Sequence, residues 1–204
     1  VVKLKEGGQL KISTKEVLGT EQLISINYKA LPSDVKVNDR ILIDDGKIVL
    51  KVISSNSQDE IVTEIINGGD LYSKKGVNLP NTKISIPTIT EKDCQDLIFC
   101  IKHHIEWVAL SFVRDANDMI NLRKIIDKES NEKIPIIAKI EKPEAIKNIE
   151  DIIQNSDGIM VARGDLGIET SLVDLPNIQR RIMYACAKWG RRSIVATHLL
   201  ESMI

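Results

Sequence analysis

The 204-residue sequence predicts an α/β fold in two parts, and three observations carry that reading. Up to about residue 86 the text consists of short β-branched runs divided by turn formers. From about residue 87 it changes to helical spacing that alternates with short apolar runs. Those apolar runs lack polar alternation, as expected of strands covered on both faces of a parallel sheet.

In the first part the runs ISIN, RILIDDGKIVLKVI and EIVTEII read as strands, with turns at Asp44-Asp45-Gly46 and Gly68-Gly69. The second part opens at Thr90, an N-cap with Asp93 three residues on, and continues through apolar Cys94, Leu97, Ile98, Ile101 and Ile105 at helical spacing. His103 and His104 close that helix, where imidazoles suit the last carbonyls. Strand WVALSF follows, then a helix from Ala116 to Asp127, strand IPIIAKIE, a helix from Pro143, strand GIMVAR, a helix from Pro176 to Trp189 and strand SIVAT. Pro143 suits a first helical turn, and Gly190 a C-terminal cap. The repeated alternation implies parallel βαβ units, either in part of a (β/α)8 barrel or in a doubly wound sheet.

Composition narrows the function classes. With 28 basic and 29 acidic residues the formal charge is −1, so no global field draws nucleic acid or an anionic membrane. No apolar run approaches the length of a bilayer span. The three cysteines, Cys94, Cys100 and Cys186, show no C-x-x-C spacing and are expected to be small buried apolar residues in a reducing compartment. A cytoplasmic location is the default expectation. The start at Val1 and the stop at Ile204 suggest a piece of a longer chain.

Both candidate architectures place ligands at the carboxyl ends of the strands. Along Ile134–Glu141, side chains two apart share a face, so Lys139 and Glu141 project together. The same period along Gly158–Asp165 pairs Arg163 with Asp165. If the two strands are neighbours, about 4.8 Å apart, Glu141 and Asp165 come within reach of one Mg²⁺ completed by waters and substrate oxygens. Gly164 and Gly167 would then let backbone amides approach an anionic ligand. The alternative for Asp165 is a helix N-cap, and for Lys139 a structural ion pair with an acid. Lys139 beside a metal would stabilise a transferring phosphoryl group, whereas a Schiff-base lysine is the competing chemistry. Thr197 ends the last strand with a hydroxyl for substrate or a proton-carrying water. Lys75, in Lys74-Lys75-Gly76, is a candidate for touching a nucleotide phosphate.

Three segments, IPIIAKIEKPEAI (Ile134–Ile146), GIMVARGDLGIE (Gly158–Glu169) and ATHLLESMI (Ala196–Ile204), resemble the pyruvate kinase family in order and spacing. KKGVNLP, TEKDCQDLIF and ALSFVR extend the likeness over nearly the whole chain. The resemblance implies a partial (β/α)8 TIM barrel with an inserted all-β B domain, residues 1–86 forming the lid and residues 87–204 part of the catalytic A domain. It implies phosphoryl transfer from phosphoenolpyruvate to ADP, giving pyruvate and ATP, with Mg²⁺ (or Mn²⁺) and K⁺, the K⁺ ligands lying outside this chain. By the same likeness Lys139 is the transition-state lysine, Glu141 and Asp165 are the metal ligands, Gly164 and Thr197 contact substrate, and Lys75 matches a nucleotide-binding position. The likeness further implies a homotetramer for the full-length parent and little activity for this stretch alone. His198 replaces the usual glutamine and introduces a group that titrates near neutrality. ETSLVDLP lacks the usual proline beside Thr170, so a slightly altered loop is expected.

Overall fold

A computed structural model describes residues 1–80 and 82–197, so His198 and the rest of the last motif lie outside the described residues. The chain divides into two compact units, Val1–Ile86 and Pro87–Ile204. Each has its own apolar core.

The first unit is built from β1 (Val2–Leu4), β2 (Gln9–Ser13), β3 (Leu23–Ser25), the single turn α1 (Leu31–Asp34), β4 (Arg40–Ile43), β5 (Ile48–Ser55), β6 (Glu60–Asn67), β7 (Gly69–Leu71) and β8 (Val77–Asn78). Six strands form one sheet in the order β3-β2-β6-β5-β4-β8, and β1 pairs with β7 in a separate ribbon. Strand period explains its core: Ile48, Leu50 and Val52 of β5 and Ile61 and Ile65 of β6 are buried. Thr63, on the same face of β6, is buried too and donates its hydroxyl to the carbonyl of Leu10 at 2.8 Å.

The β4–β5 turn follows from its residues. Asp44, Asp45 and Gly46 all adopt positive φ, at 53°, 56° and 83°, a conformation that short polar residues and glycine tolerate best. Gly68 is required for a different reason: a Cβ there would sit 2.3 Å from the carbonyl oxygen of Leu4, where β1 runs against β7.

The second unit alternates α2 (Glu91–Lys102), β9 (Val108–Leu110), α3 (Ala116–Glu129), β10 (Ile136–Ile140), α4 (Pro143–Lys147), α5 (Ile149–Gln154), β11 (Gly158–Val161), α6 (Arg163–Glu169), α7 (Leu175–Lys188) and β12 (Arg192–Val195). All three ladders are parallel, and the order β9-β10-β11-β12 follows the chain without reversal. A doubly wound sheet reverses at a switch point; this one does not, so the unit is half of a (β/α)8 barrel.

Helix ends match their sequence signals. Thr90 and Asp93 form a reciprocal capping box on α2. Pro143 opens α4. After α7, Gly190 takes φ 62° while Arg191 N–H reaches the Cys186 carbonyl at 2.8 Å and Gly190 N–H that of Ala187 at 3.2 Å, a Schellman motif.

Four expectations need correction. The helix from Pro143 is two short helices meeting at Asn148, whose side-chain amide donates to the Arg114 carbonyl at 3.0 Å. The third strand ends at Val161, and residues through Glu169 turn into α6. Among the described residues of this four-stranded segment the two faces are covered unequally: Ile136, Ala138, Ile140, Ile159 and Val161 are buried under helices, while the opposite face is partly covered, with Lys139 and Met160 half-buried and Ile194 41% exposed. Of the cysteines only Cys186 is buried, which pushes its thiol up to about 11, whereas Cys94 and Cys100 are half-buried.

The tight contact at Gly68 gives a paired test. Gly68→Ala is expected to lower the unfolding free energy of the first unit by about 1–3 kcal/mol in urea titrations followed by circular dichroism, because backbone must shift. Gly76→Ala, which meets open space, is expected to change it by less than about 0.5 kcal/mol.

Candidate active site

The site begins with β10, whose alternation sends Ile136, Ala138 and Ile140 into the core and Lys139 to the open face. Glu141, one residue past the strand, continues that face. Its side chain is only 1% exposed, and a carboxylate so removed from water needs partners. It has two: Lys139 Nζ lies 2.6 Å from Oε1, and the Phe112 backbone N–H donates to Oε2 at 2.7 Å. Lys139 also donates a hydrogen bond to the Ser111 hydroxyl at 3.0 Å. An ammonium has three N–H donors, so the ion pair and this hydrogen bond leave donor capacity for a ligand.

Phe112 adopts φ 54°, a left-handed conformation that is uncommon for a bulky residue. Phe112 is about half exposed while the next residue, Val113, is fully buried. The backbone thus turns sharply at the end of β9 with its N–H bonded to Glu141.

β11 lies beside β10 with Ile140 opposite Val161. Asp165 follows as the third residue of α6, where a carboxylate suits the helix dipole. The N-cap is Ala162, so Asp165 is not the cap. In helical geometry Arg163 and Asp165 point about 160° apart, unlike the shared strand face expected from the sequence. Arg163 instead donates Nε–H to the Ala196 carbonyl at 3.0 Å.

Gly164 N–H donates to the Thr197 carbonyl at 2.8 Å, which joins two of the expected substrate contacts to each other. Gly167 is buried, and a Cβ there would lie 2.9 Å from Leu172 and 3.4 Å from Leu175. Its lack of a side chain serves packing rather than approach to a ligand. In the first unit Lys75 pairs with Asp44 at 2.7 Å, which raises the lysine pKa through that hydrogen bond and lowers the carboxyl's.

Among the described residues no three His, Cys, Asp or Glu side chains gather as a metal cluster. Glu141, just past β10, and Asp165, in the first turn of the helix after β11, supply carboxylate oxygens of the kind a hard divalent cation takes together with waters and substrate oxygens.

The profile of the pyruvate kinase barrel domain matches residues 1–204. The chain belongs to the pyruvate kinase family. It is 46% identical over 203 residues to the pyruvate kinase of Geobacillus stearothermophilus, covering 99% of this chain and 35% of that protein. To the enzyme of Staphylococcus haemolyticus strain JCSC1435 it is 41% identical over 204 residues, again 35% of the relative. The crystal structure of a pyruvate kinase from Cryptosporidium parvum superposes with a TM-score of 0.90 at 36% identity, covering 99% of this chain and 42% of that one. The chain therefore spans about a third of the length of these curated pyruvate kinases.

Sequence reasoning missed several residues of this pyruvate kinase segment. Ser111 and Phe112 lie in ALSFVR, which ends a strand and carries part of the family likeness, but neither receives a role from the sequence. The ion pair between Lys142 and Glu169, 2.7 Å long with side chains 12% and 0% exposed, joins residues 27 apart in a way that no local spacing reveals.

Removing Lys139 strands a buried carboxylate. Lys139→Met is expected to cost about 3 kcal/mol of unfolding free energy in urea, and Lys139→Met/Glu141→Leu to recover most of it, because breaking a buried pair costs more than replacing both partners. An unchanged single variant would show that Glu141 does not depend on the lysine.

Proposed function

We propose that the protein containing this chain is a glycolytic phosphotransferase that moves the phosphoryl group of phosphoenolpyruvate to ADP, producing pyruvate and ATP. The observation that carries the reading is Lys139 held 2.6 Å from buried Glu141 at the carboxyl end of a parallel strand, with Asp165 following the adjacent strand. Family membership supports it.

In this reading Glu141 and Asp165 hold Mg²⁺ or Mn²⁺. When bound, the cation supplies positive charge beside the enolate oxygen and the phosphoryl group. Lys139, ion-paired with Glu141 and hydrogen-bonded to Ser111, directs a further N–H at a phosphoryl oxygen, balancing the charge that spreads over those oxygens in transfer. Being fixed beforehand, it needs no reorganisation as the bond breaks. Lys139 salt-bridged to a buried carboxylate is poorly suited to Schiff-base attack.

In this reading Gly164 and Thr197 lie against the substrate. With the Thr197 carbonyl already engaged by Gly164 N–H, the threonine hydroxyl is the group left to meet substrate or a water that protonates the enolate carbon. Residues 1–86 act as the lid domain and bring Lys75 to the nucleotide, while residues 87–204 supply part of the catalytic barrel. K⁺, with ligands on other segments, a homotetrameric assembly and a cytoplasmic setting complete the reading. Among the described residues no helix is long and apolar enough to cross a membrane.

Two measurements on the full-length protein test this. Pyruvate formation from phosphoenolpyruvate and ADP should require the divalent cation and fall by about 10²-fold or more in Lys139→Met, with Lys139→Arg as a variant that keeps the charge. Metal-independent turnover, or full activity in both variants, would overturn the assignment. Thr197→Val should lower turnover and shift its pH profile; an unchanged profile and rate would remove Thr197 from proton delivery.

A further inference from the structure

The short helix α6, which carries Asp165, is tied down at both ends. At its start Gly164 N–H binds the Thr197 carbonyl at 2.8 Å and Arg163 Nε–H binds the Ala196 carbonyl at 3.0 Å, both just beyond β12. At its finish Glu169 accepts from Lys142 Nζ at 2.7 Å, and Lys142 directly follows Glu141 at the end of β10. The helix therefore bridges the ends of the two strands that flank β11.

The chemistry of the second tie is unusual for a structural contact. Its side chains are 12% and 0% exposed, so two full charges have been taken out of water. Apolar residues of similar volume would generally hold two elements together as well or better, so such a pair is weak evidence for stability. What a charged pair adds is direction: a short hydrogen bond fixes where one backbone segment stands relative to another.

We propose that Lys142 is a positioning residue for the metal site, acting through Glu169 to fix the separation of the Glu141 and Asp165 carboxylates. The inference rests on the reading of Glu141 and Asp165 as metal ligands. The cross-link joins the residue next to the first ligand with the last residue of the helix that bears the second. Loosening it lets α6 pivot about its start, and the two carboxylates lose their common target while each keeps its own charge. Lys142 touches neither substrate nor metal. Its effect belongs to affinity for the cation, as expected of groups that orient metal ligands.

The test is Mn²⁺ titration of the full-length protein, followed by the electron paramagnetic resonance signal of free Mn²⁺, alongside steady-state kinetics. Lys142→Met is expected to weaken Mn²⁺ binding about tenfold to a hundredfold. The metal concentration for half-maximal rate should rise in step, with turnover at saturating metal changed much less. Lys142→Arg, which keeps the charge and the donor, should restore most of the affinity. Lys142→Met/Glu169→Gln removes the uncompensated buried charge and guards against simple misfolding; it should remain weak in Mn²⁺ binding although thermal stability recovers. Recovery of Mn²⁺ affinity in that double variant would reduce the pair to a structural role and overturn the proposal. Unchanged affinity in Lys142→Met would overturn it as well. Glu141→Gln separates the two ideas: if it leaves Mn²⁺ binding intact, the metal-ligand reading itself fails, whereas loss of binding there with normal binding in Lys142→Met rejects only the positioning role.

Discussion

Glu141 is a carboxylate almost wholly withdrawn from water, and the arrangement around it follows from what such a group demands. An isolated buried charge costs far more than a domain has in reserve, so each oxygen must be met by a donor. Lys139 reaches one from the same strand face, and the Phe112 amide reaches the other from β9. The second contact requires the chain to turn sharply after β9, which accompanies the positive φ at Phe112. A backbone conformation that costs about 1–2 kcal/mol in isolation is thus maintained by a charge-assisted hydrogen bond and by the burial of Val113.

The parallel sheet makes this possible. Its helix-facing side is packed with isoleucine, valine and alanine, so the strands cannot shift register without moving apolar side chains out of the core. The opposite side is free to carry Lys139, and the strand ends carry the groups that the family reading makes functional. That opposite side is only half covered, as expected of four strands from an eight-stranded barrel within relatives about three times as long. Asp165 enters from a helix rather than a strand because Ala162 leaves β11 and the chain coils at once into α6. The helix is held by backbone carbonyls beyond β12 and by the Lys142–Glu169 pair.

Period and punctuation were readable without coordinates. The two-residue alternation of β10 placed Lys139 and Glu141 together, and their ion pair agrees. Thr90, Pro143 and Gly190 marked helix ends where the structure has them, since capping depends on neighbours within a turn. The misreadings share a cause. GIMVARGDLGIE continues smoothly as an apolar run, yet the strand stops when its ladder with β10 and β12 runs out at Val161, and that limit is set by the partners rather than by the segment. Cys94 and Cys100 each lie three residues from Leu97, the buried residue of α2, and are half-buried at the margin of its apolar face, which composition does not disclose.

The sequence by itself determined the two-part α/β organisation and the positions of most strands and helices, because these depend on local periodicity, while the family resemblance carried by its motifs is what named Lys139, Glu141, Asp165, Gly164, Thr197 and Lys75 as candidates. Only the tertiary structure decided that the sheet is singly wound, that Asp165 rides on a helix, and that Ser111, the Phe112 amide and the Lys142–Glu169 pair surround the strand ends. These are contacts between residues tens of positions apart, and their energies arise from burial and hydrogen-bond geometry that exist only once the strands are side by side.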